Sequence, residues 1–199
     1  MTLGQTIAFI LFAIVMSSTP GPSNLILTSS GAAEGVFRGL PALLGQVVGV
    51  GLMLFLVGFG LGEVDLENAR IIQISKWCGI GFLLWLAWKI ASAHGKTSVA
   101  RGARVGFWHM AAFQWVNPKS WLMCTSAVAT YFPAVSGSAV ARSLLFASLF
   151  MLASVPGCSL WLIAGAGLQR AFQSERAARI FNLTMGGLLA CSILFFFIH

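Results

Sequence analysis

Ser17-Ser18-Thr19-Pro20-Gly21-Pro22-Ser23-Asn24 interrupts the first long apolar run of the chain, and Asn117-Pro118-Lys119 interrupts a later one in a matching way. A proline lacks a backbone donor and clashes with the carbonyl four residues back. Three successive breakers exceed what a simple kink needs. In a bilayer a freed N–H or C=O finds no water, so irregular backbone at membrane depth is tolerated only against protein or a wet cavity. In transporters such breaks tend to build the substrate site.

Composition makes the membrane setting the natural one. Of 199 residues, 58% are hydrophobic and 9% charged, against about 25% charged in soluble domains. The length suits one membrane domain of about six spans of roughly 20 residues each. The formal net charge of +7 is scattered through short connections. It reads as topological bias, and no nucleic-acid partner is expected. Cys78, Cys124, Cys158 and Cys191 form no CxxC and read as small packing residues. Three scattered histidines, His94, His109 and His199, lack metal-ligand spacing, so neither a metal nor a haem is expected. The N-terminus has no basic n-region and no small-residue cleavage pattern, which favours a retained first span.

The pattern predicts six spans: Gln5–Ser30, Leu40–Gly62, Ile71–Ser92, Gly106–Phe132, Ala139–Leu168 and Ile180–Ile198, the first and fourth broken at their proline motifs. Between them lie a connection with Gly31, Glu34, Gly35 and Arg38, an acidic one over Glu63–Arg70, a polar one over Ala93–Val105, the turn Pro133–Ser138, and a charged stretch over Gln169–Arg179. The single membrane domain, 1–199, then divides into three-helix halves, 1–92 and 106–199, joined by 93–105 on the cytoplasmic side. Three spans per half force the second half to enter from the opposite face, the inverted-repeat architecture. Alternate connections carry Arg38, Lys89, Lys96, Arg101, Arg104, Arg170, Arg176 and Arg179 on one side, and Arg70 and Arg142 beside Glu63, Asp65 and Glu67 on the other. The positive-inside rule places the first set in the cytoplasm and both termini outside.

Pro22 and Pro118 can each open a half-helix, since proline is welcome at a first turn. Unpaired N–H groups and the positive dipole end there favour an anion such as an amino-acid carboxylate. Ser23 and Asn24 add neutral groups at one start and Lys119 a full charge at the other. The preceding half-helices end near Ser18 and Val116, and their last carbonyls are expected to face the gap and suit an ammonium. Lys119 stands at the middle of its span, where a charge is costly and functional by default. Thr19, Pro20, Gly21, Pro22, Asn24, Asn117, Pro118 and Lys119 are therefore the candidate substrate-binding residues, with Gln46 and Gln114 as candidate lining. Pro41 and Pro156 read as structural kinks. Gly45 and Gly49, and Gly58 and Gly62, are spaced for close helix approach, within the monomer or across a homodimer. Trp77, Trp85 and Trp88 read as interface or lipid contacts.

Thr19-Pro-Gly-Pro, followed by Gly31-x-x-x-Gly35-x-x-Arg38-x-Leu40 and by Asn117-Pro-Lys-Ser-Trp-Leu, resembles the lysine-exporter superfamily (LysE/RhtB-type amino-acid exporters). The resemblance implies a secondary transporter in the bacterial inner membrane that expels amino acids or close derivatives, driven by the proton gradient, with both proline segments at the translocation path. Members handling cationic amino acids can carry an acidic side chain in the second span. This chain has Gln46 there, and no Asp or Glu lies at mid-depth in any predicted span, which favours a neutral or small polar amino acid. With no buried carboxylate, Lys119 and His109 are the candidate proton carriers. The rival readings are efflux of other solutes or drugs, a membrane enzyme, and a non-transporting subunit. An enzyme lacks a visible nucleophile–base pair, metal cluster or CxxC. A packing subunit does not need paired breaks. No G-x-x-x-x-G-K-[ST] motif points to ATP.

Overall fold

The computed structural model describes residues 1–61 and 105–171, with single positions at 81, 84, 88, 91, 92, 176, 179, 180, 183, 184, 187 and 190. Apart from those single positions, the third and sixth spans read from the sequence, the acidic connection, most of the 93–105 connection and residues 172–175, 177 and 178 of the charged stretch lie outside the described residues. So do Gly62, Trp77, Trp85, Cys78, Cys191, His94 and His199.

Every regular element among the described residues is helical. They are α1 (Leu3–Ser18), α2 (Pro22–Leu56), a π turn (Val57–Leu61), α3 (Phe107–Val116), α4 (Pro118–Tyr131), a 3₁₀ turn (Phe132–Ala134) and α5 (Ala139–Ala171). Thr2 opens α1 with a capping box shared with Gln5. The helix stops at Ser18 because two prolines follow. A residue before proline is pushed out of the helical region, and both such residues here comply: Thr19 has ψ 136° and Gly21 has ψ 173°. Asn117, before Pro118, is extended in the same way, with ψ 111°. Pro22 and Pro118 each occupy the first turn of the helix that follows.

The 35 residues of α2 are two arms. Gly35 lies between them at φ 79°, a left-handed conformation that glycine adopts without steric cost. Contacts with α5 show that the chain reverses there. A Cβ placed at either Gly31 or Gly39 would meet Leu162, one at Gly165 would meet Thr28, and one at Gly51 would meet Met151. Gly31 and Gly39 thus lie at one level of α5, and Asn24 and Gln46, equally far from Gly35 on either side, are hydrogen-bonded, so the second arm runs back along the first. The broad connection expected over Gly31–Arg38 is a one-residue reversal, because glycine lets the helices resume directly on either side. Pro41 and Pro156 lie inside continuous helices.

Small residues set the helix spacing. Added Cβ atoms at Gly31 and Gly165 would run into the carbonyls of Leu162 and Thr28, locking α2 against α5. Gly45 and Gly49 face the backbone of Phe107 and Ala111 on α3, within one copy of the chain. Gly58 abuts Phe132 and Ser143.

Two apolar clusters fill the interior. One gathers Phe9, Ala13, Met53, Leu54, Phe132, Phe146 and Phe150. The other gathers Ile26, Leu27, Leu43, Met110, Phe113 and Leu162. The outer surface is also apolar. Leu3, Ile7, Leu11 and Val15 form an exposed stripe on α1, and Leu40, Leu44, Val48 and Leu52 a second on α2. Four-residue spacing keeps each stripe on one helix face. In water such surfaces are a liability, whereas lipid accepts them. Ala139–Leu168 is long and apolar enough to cross a membrane by length and composition, and Pro22–Gly60 passes the same test as a stretch although it folds back at Gly35. Trp88 and Trp108 are exposed.

A paired substitution tests the close crossing. Gly165→Ala puts a methyl into the Thr28 carbonyl and is expected to cost about 1–3 kcal/mol. Gly167→Ala, with open space around it, should change stability by less than about 0.5 kcal/mol. Thermal unfolding of both variants in detergent compares them.

Candidate functional site

A layer of polar side chains separates the two apolar clusters. Ser17 follows Phe9 and Ala13 on α1, and Gln46 lies between Leu43 and Val50 on α2. Ser120 precedes Met123 on α4, and Ser154 separates Phe150 from Cys158 on α5. Ser154 is near the middle of α5, whose 33 residues extend about 50 Å. A cavity of about 30 Å³ lies in this layer.

The first break supplies one half of the layer. The last carbonyls of α1 have no intrahelical partners, and side chains from elsewhere take them. Asn24 Nδ2 donates to Ser17 O and Thr19 O, both at 2.8 Å. Trp161 Nε1, from α5, donates to Ser18 O at 3.1 Å. Lys119 Nζ, from α4, donates to Thr19 O at 2.7 Å and lies 3.5 Å from Pro20 O. The carbonyls expected to stand open for a ligand ammonium are therefore partnered within the chain. A folded interior does not leave such acceptors bare when donors are in reach.

The second break supplies the other half. Asn117 Oδ1 accepts from the Lys119 N–H at 3.1 Å and caps α4. Its Nδ2 donates to Ser23 Oγ at 2.8 Å, and Ser23 Oγ donates on to Gln114 Oε1 at 3.1 Å. Ser120 Oγ donates to the same oxygen at 2.9 Å, and Gln114 Nε2 donates to Met110 O at 2.9 Å. Ser23 thus ties the start of α2 to the start of α4 through groups 94 residues apart. Gln114 is fully buried, and Asn24 and Asn117 nearly so.

Backbone partners fix the direction of each amide. Asn24 Nδ2 faces two carbonyls, so its Oδ1 faces Gln46. Gln46 Nε2 must then donate, as it does to Asn24 Oδ1 at 3.0 Å, with Cys158 Sγ at 3.3 Å. This leaves Gln46 Oε1 buried without a hydrogen-bond partner. Stranding such an acceptor costs about 1–3 kcal/mol. Of the orphaned buried polar atoms among the described residues, it alone belongs to a cavity-lining residue.

The two half-helix starts differ. Asn117 caps α4, which corrects the expectation of open N–H groups there. Gly21 precedes α2 and makes no side-chain cap, so the Ser23 and Asn24 N–H groups form the positive helix end beside the cavity. Gly21 is extended, and its importance is space: a Cβ there would come within 3.0 Å of Lys119 Cδ. The lysine stem crosses over it.

Six of the ten sequence candidates line the cavity: Gly21, Asn24, Gln46, Gln114, Asn117 and Lys119. Thr19 and Pro20 contribute backbone carbonyls to Lys119, and the Thr19 hydroxyl turns back to Val15 O at 2.7 Å. Pro22 is buried at the start of α2, and Pro118 starts α4. His109 is exposed near the start of α3 and does not line the cavity. Ser23, expected only as a neutral group at the start of α2, joins the network through Asn117 and Gln114. Ser120 and Ser154 were not singled out and Cys158 read as packing, although each lies within two residues of a proline. Lys119 is the one ionised side chain in the described lining. Among the described residues no group of three or more His, Cys, Asp or Glu could hold a metal ion.

A family model for LysE type translocators matches residues 14–198. The chain is 31% identical over 194 residues to the cysteine/O-acetylserine efflux protein of Salmonella typhimurium, covering 96% of each. It is 32% identical over 169 residues to the protein of that name in Klebsiella pneumoniae, covering 83% of this chain and 84% of that one. Against the Escherichia coli K12 protein the identity is 28% over 196 residues, covering 96% of each. No solved structure matches. With its interrupted helices, buried amide layer and apolar exterior, the chain belongs to the LysE type translocators and is a helical membrane transporter, not an enzyme.

Proposed function

We propose that this protein exports small, net-neutral amino acids of the cysteine and O-acetylserine kind across the bacterial inner membrane, driven by the proton gradient. The observation that carries this reading is the buried amide and hydroxyl layer between the two helix breaks, with one lysine and no carboxylate in its described lining. A cationic substrate would meet no counter-charge there. A zwitterion brings its own. Its carboxylate suits the uncapped start of α2 and Lys119, and its ammonium suits the carbonyl end of α1. The named efflux activity of the relatives supports the same substrate class.

In this reading the chain is a six-span protein with two inverted three-helix halves and both termini outside the cytoplasm. α1 and the first arm of α2 make the first crossing, the second arm makes the second, α3 with α4 the fourth, and α5 the fifth. The apolar stripes of α1 and α2 face lipid. The cavity of about 30 Å³ has room for about two waters. An amino acid therefore enters only as the walls around it separate, which is the movement alternating access requires.

Efflux from cells preloaded with labelled cysteine or O-acetylserine tests the function. Expression of the chain should speed loss of label, and a proton uncoupler should abolish the increase. Equal loss with and without the chain would refute export of these compounds. Gln114→Leu removes the acceptor shared by Ser23 and Ser120 and should cut efflux about tenfold or more, at one to two kcal/mol of lost polar pairing. Reporter fusions at either terminus should be active outside the cytoplasm and silent within it.

A further inference from the structure

Lys119 presents a puzzle of placement. Its ammonium could turn toward the uncapped start of an anion-binding helix, yet it lies instead on the carbonyl end of α1, 2.7 Å from Thr19 O. That end is the negative pole of a helix, where a cation is stabilised. An amino-acid substrate carries a cation of its own that suits the same place. The protein has therefore seated one of its own ammonium groups where the ligand's would go. A second acceptor is idle on the cavity side. Gln46 Oε1 is buried and unpartnered in the cavity lining, and the Asn24 amide connects Gln46 to the exposed Thr19.

We propose that Lys119 is the specificity-determining residue that restricts the pocket to zwitterions, by holding the ammonium position until a ligand carboxylate draws it away. The inference rests on the reading of the pocket as an amino-acid site. When a zwitterion enters, the Lys119 ammonium moves from Thr19 O to the ligand carboxylate. The ligand ammonium takes Thr19 O in its place. The exchange keeps a cation on the helix end and adds a pair of opposite charges beside it, so no uncompensated charge is buried. A simple amine brings no group to receive Lys119 and crowds two positive charges together. A simple acid can engage Lys119 but leaves Thr19 O with one donor fewer and the negative helix end without a cation. Both are disfavoured by the same arrangement. Gly21 makes the movement feasible, since a side chain there would press on the lysine stem.

Binding of cysteine and of cysteamine, the same molecule without its carboxylate, tests the proposal by calorimetry on the detergent-purified full chain. The wild-type protein should bind cysteamine on the order of 100-fold more weakly than cysteine, as a like-charge contact requires. Lys119→Met keeps the stem over Gly21 and removes the charge. It should weaken cysteine binding and strengthen cysteamine binding, so that the order reverses. Lys119→Gln should do the same if the methionine variant fails to fold. A wild-type protein that binds the two equally, or neutral variants that retain the wild-type preference, overturns the proposal while leaving amino-acid export intact. A wild-type protein that binds neither cysteine nor O-acetylserine overturns the functional reading and this inference together.

Discussion

Everything at the center of this molecule depends on how the carbonyl end of α1 is satisfied. A helix that stops inside an apolar interior leaves acceptors with no water to bond. Here Asn24 folds back from the next helix onto two of them, Ser17 O and Thr19 O, Trp161 reaches in from α5 to Ser18 O, and Lys119 brings a second donor to Thr19 O from α4. The break is therefore a junction that gathers three other helices around a polar point. The amide directions follow in turn. Because Asn24 spends both N–H groups on carbonyls, Gln46 must present its own N–H groups to Asn24, and its oxygen is left over.

The second break repeats the logic with the opposite emphasis. Asn117 caps a helix start instead of closing a helix end, and passes hydrogen bonds through Ser23 to Gln114. One break is rich in acceptors taken by side chains, the other in donors taken by side chains. Between them, neutral groups arrange a strongly directional field with a single ionised residue. That suits a ligand whose charges sum to zero, since it adds a dipole to a dipolar site and no net charge to a buried layer.

Much of this was legible in the residues. Proline chemistry located both interruptions to within a residue or two, because the rule for the residue before proline is local and strong. Thr19, Gly21 and Asn117 all obey it. Lysine at mid-span and glutamine in place of an acid pointed to the same pocket, since polar groups in apolar runs are conspicuous. The use of Lys119 was not legible. Whether its ammonium faces a helix start on its own chain segment or a helix end a hundred residues away is decided by tertiary packing, which periodicity does not encode. Ser120 and Ser154 escaped notice, and Cys158 read as packing, for a related reason. Small hydroxyl and thiol residues in membrane helices most often bond their own backbone, and only the fold brings these to one level. The Gly31–Arg38 connection was drawn too broadly because glycine at Gly35 signals a turn but not how short it is.

That shortness has a mechanical consequence. With a single residue between them, the two arms of α2 have almost no slack and travel as one stiff hairpin, pinned to α5 by glycine contacts on both sides of the bend. Any swivelling that admits cargo has to be absorbed elsewhere. The extended residues Thr19–Gly21 and Asn117 are joints beside the cavity, so under the proposed function the backbone offered to the cargo would also be the backbone that flexes to let it pass.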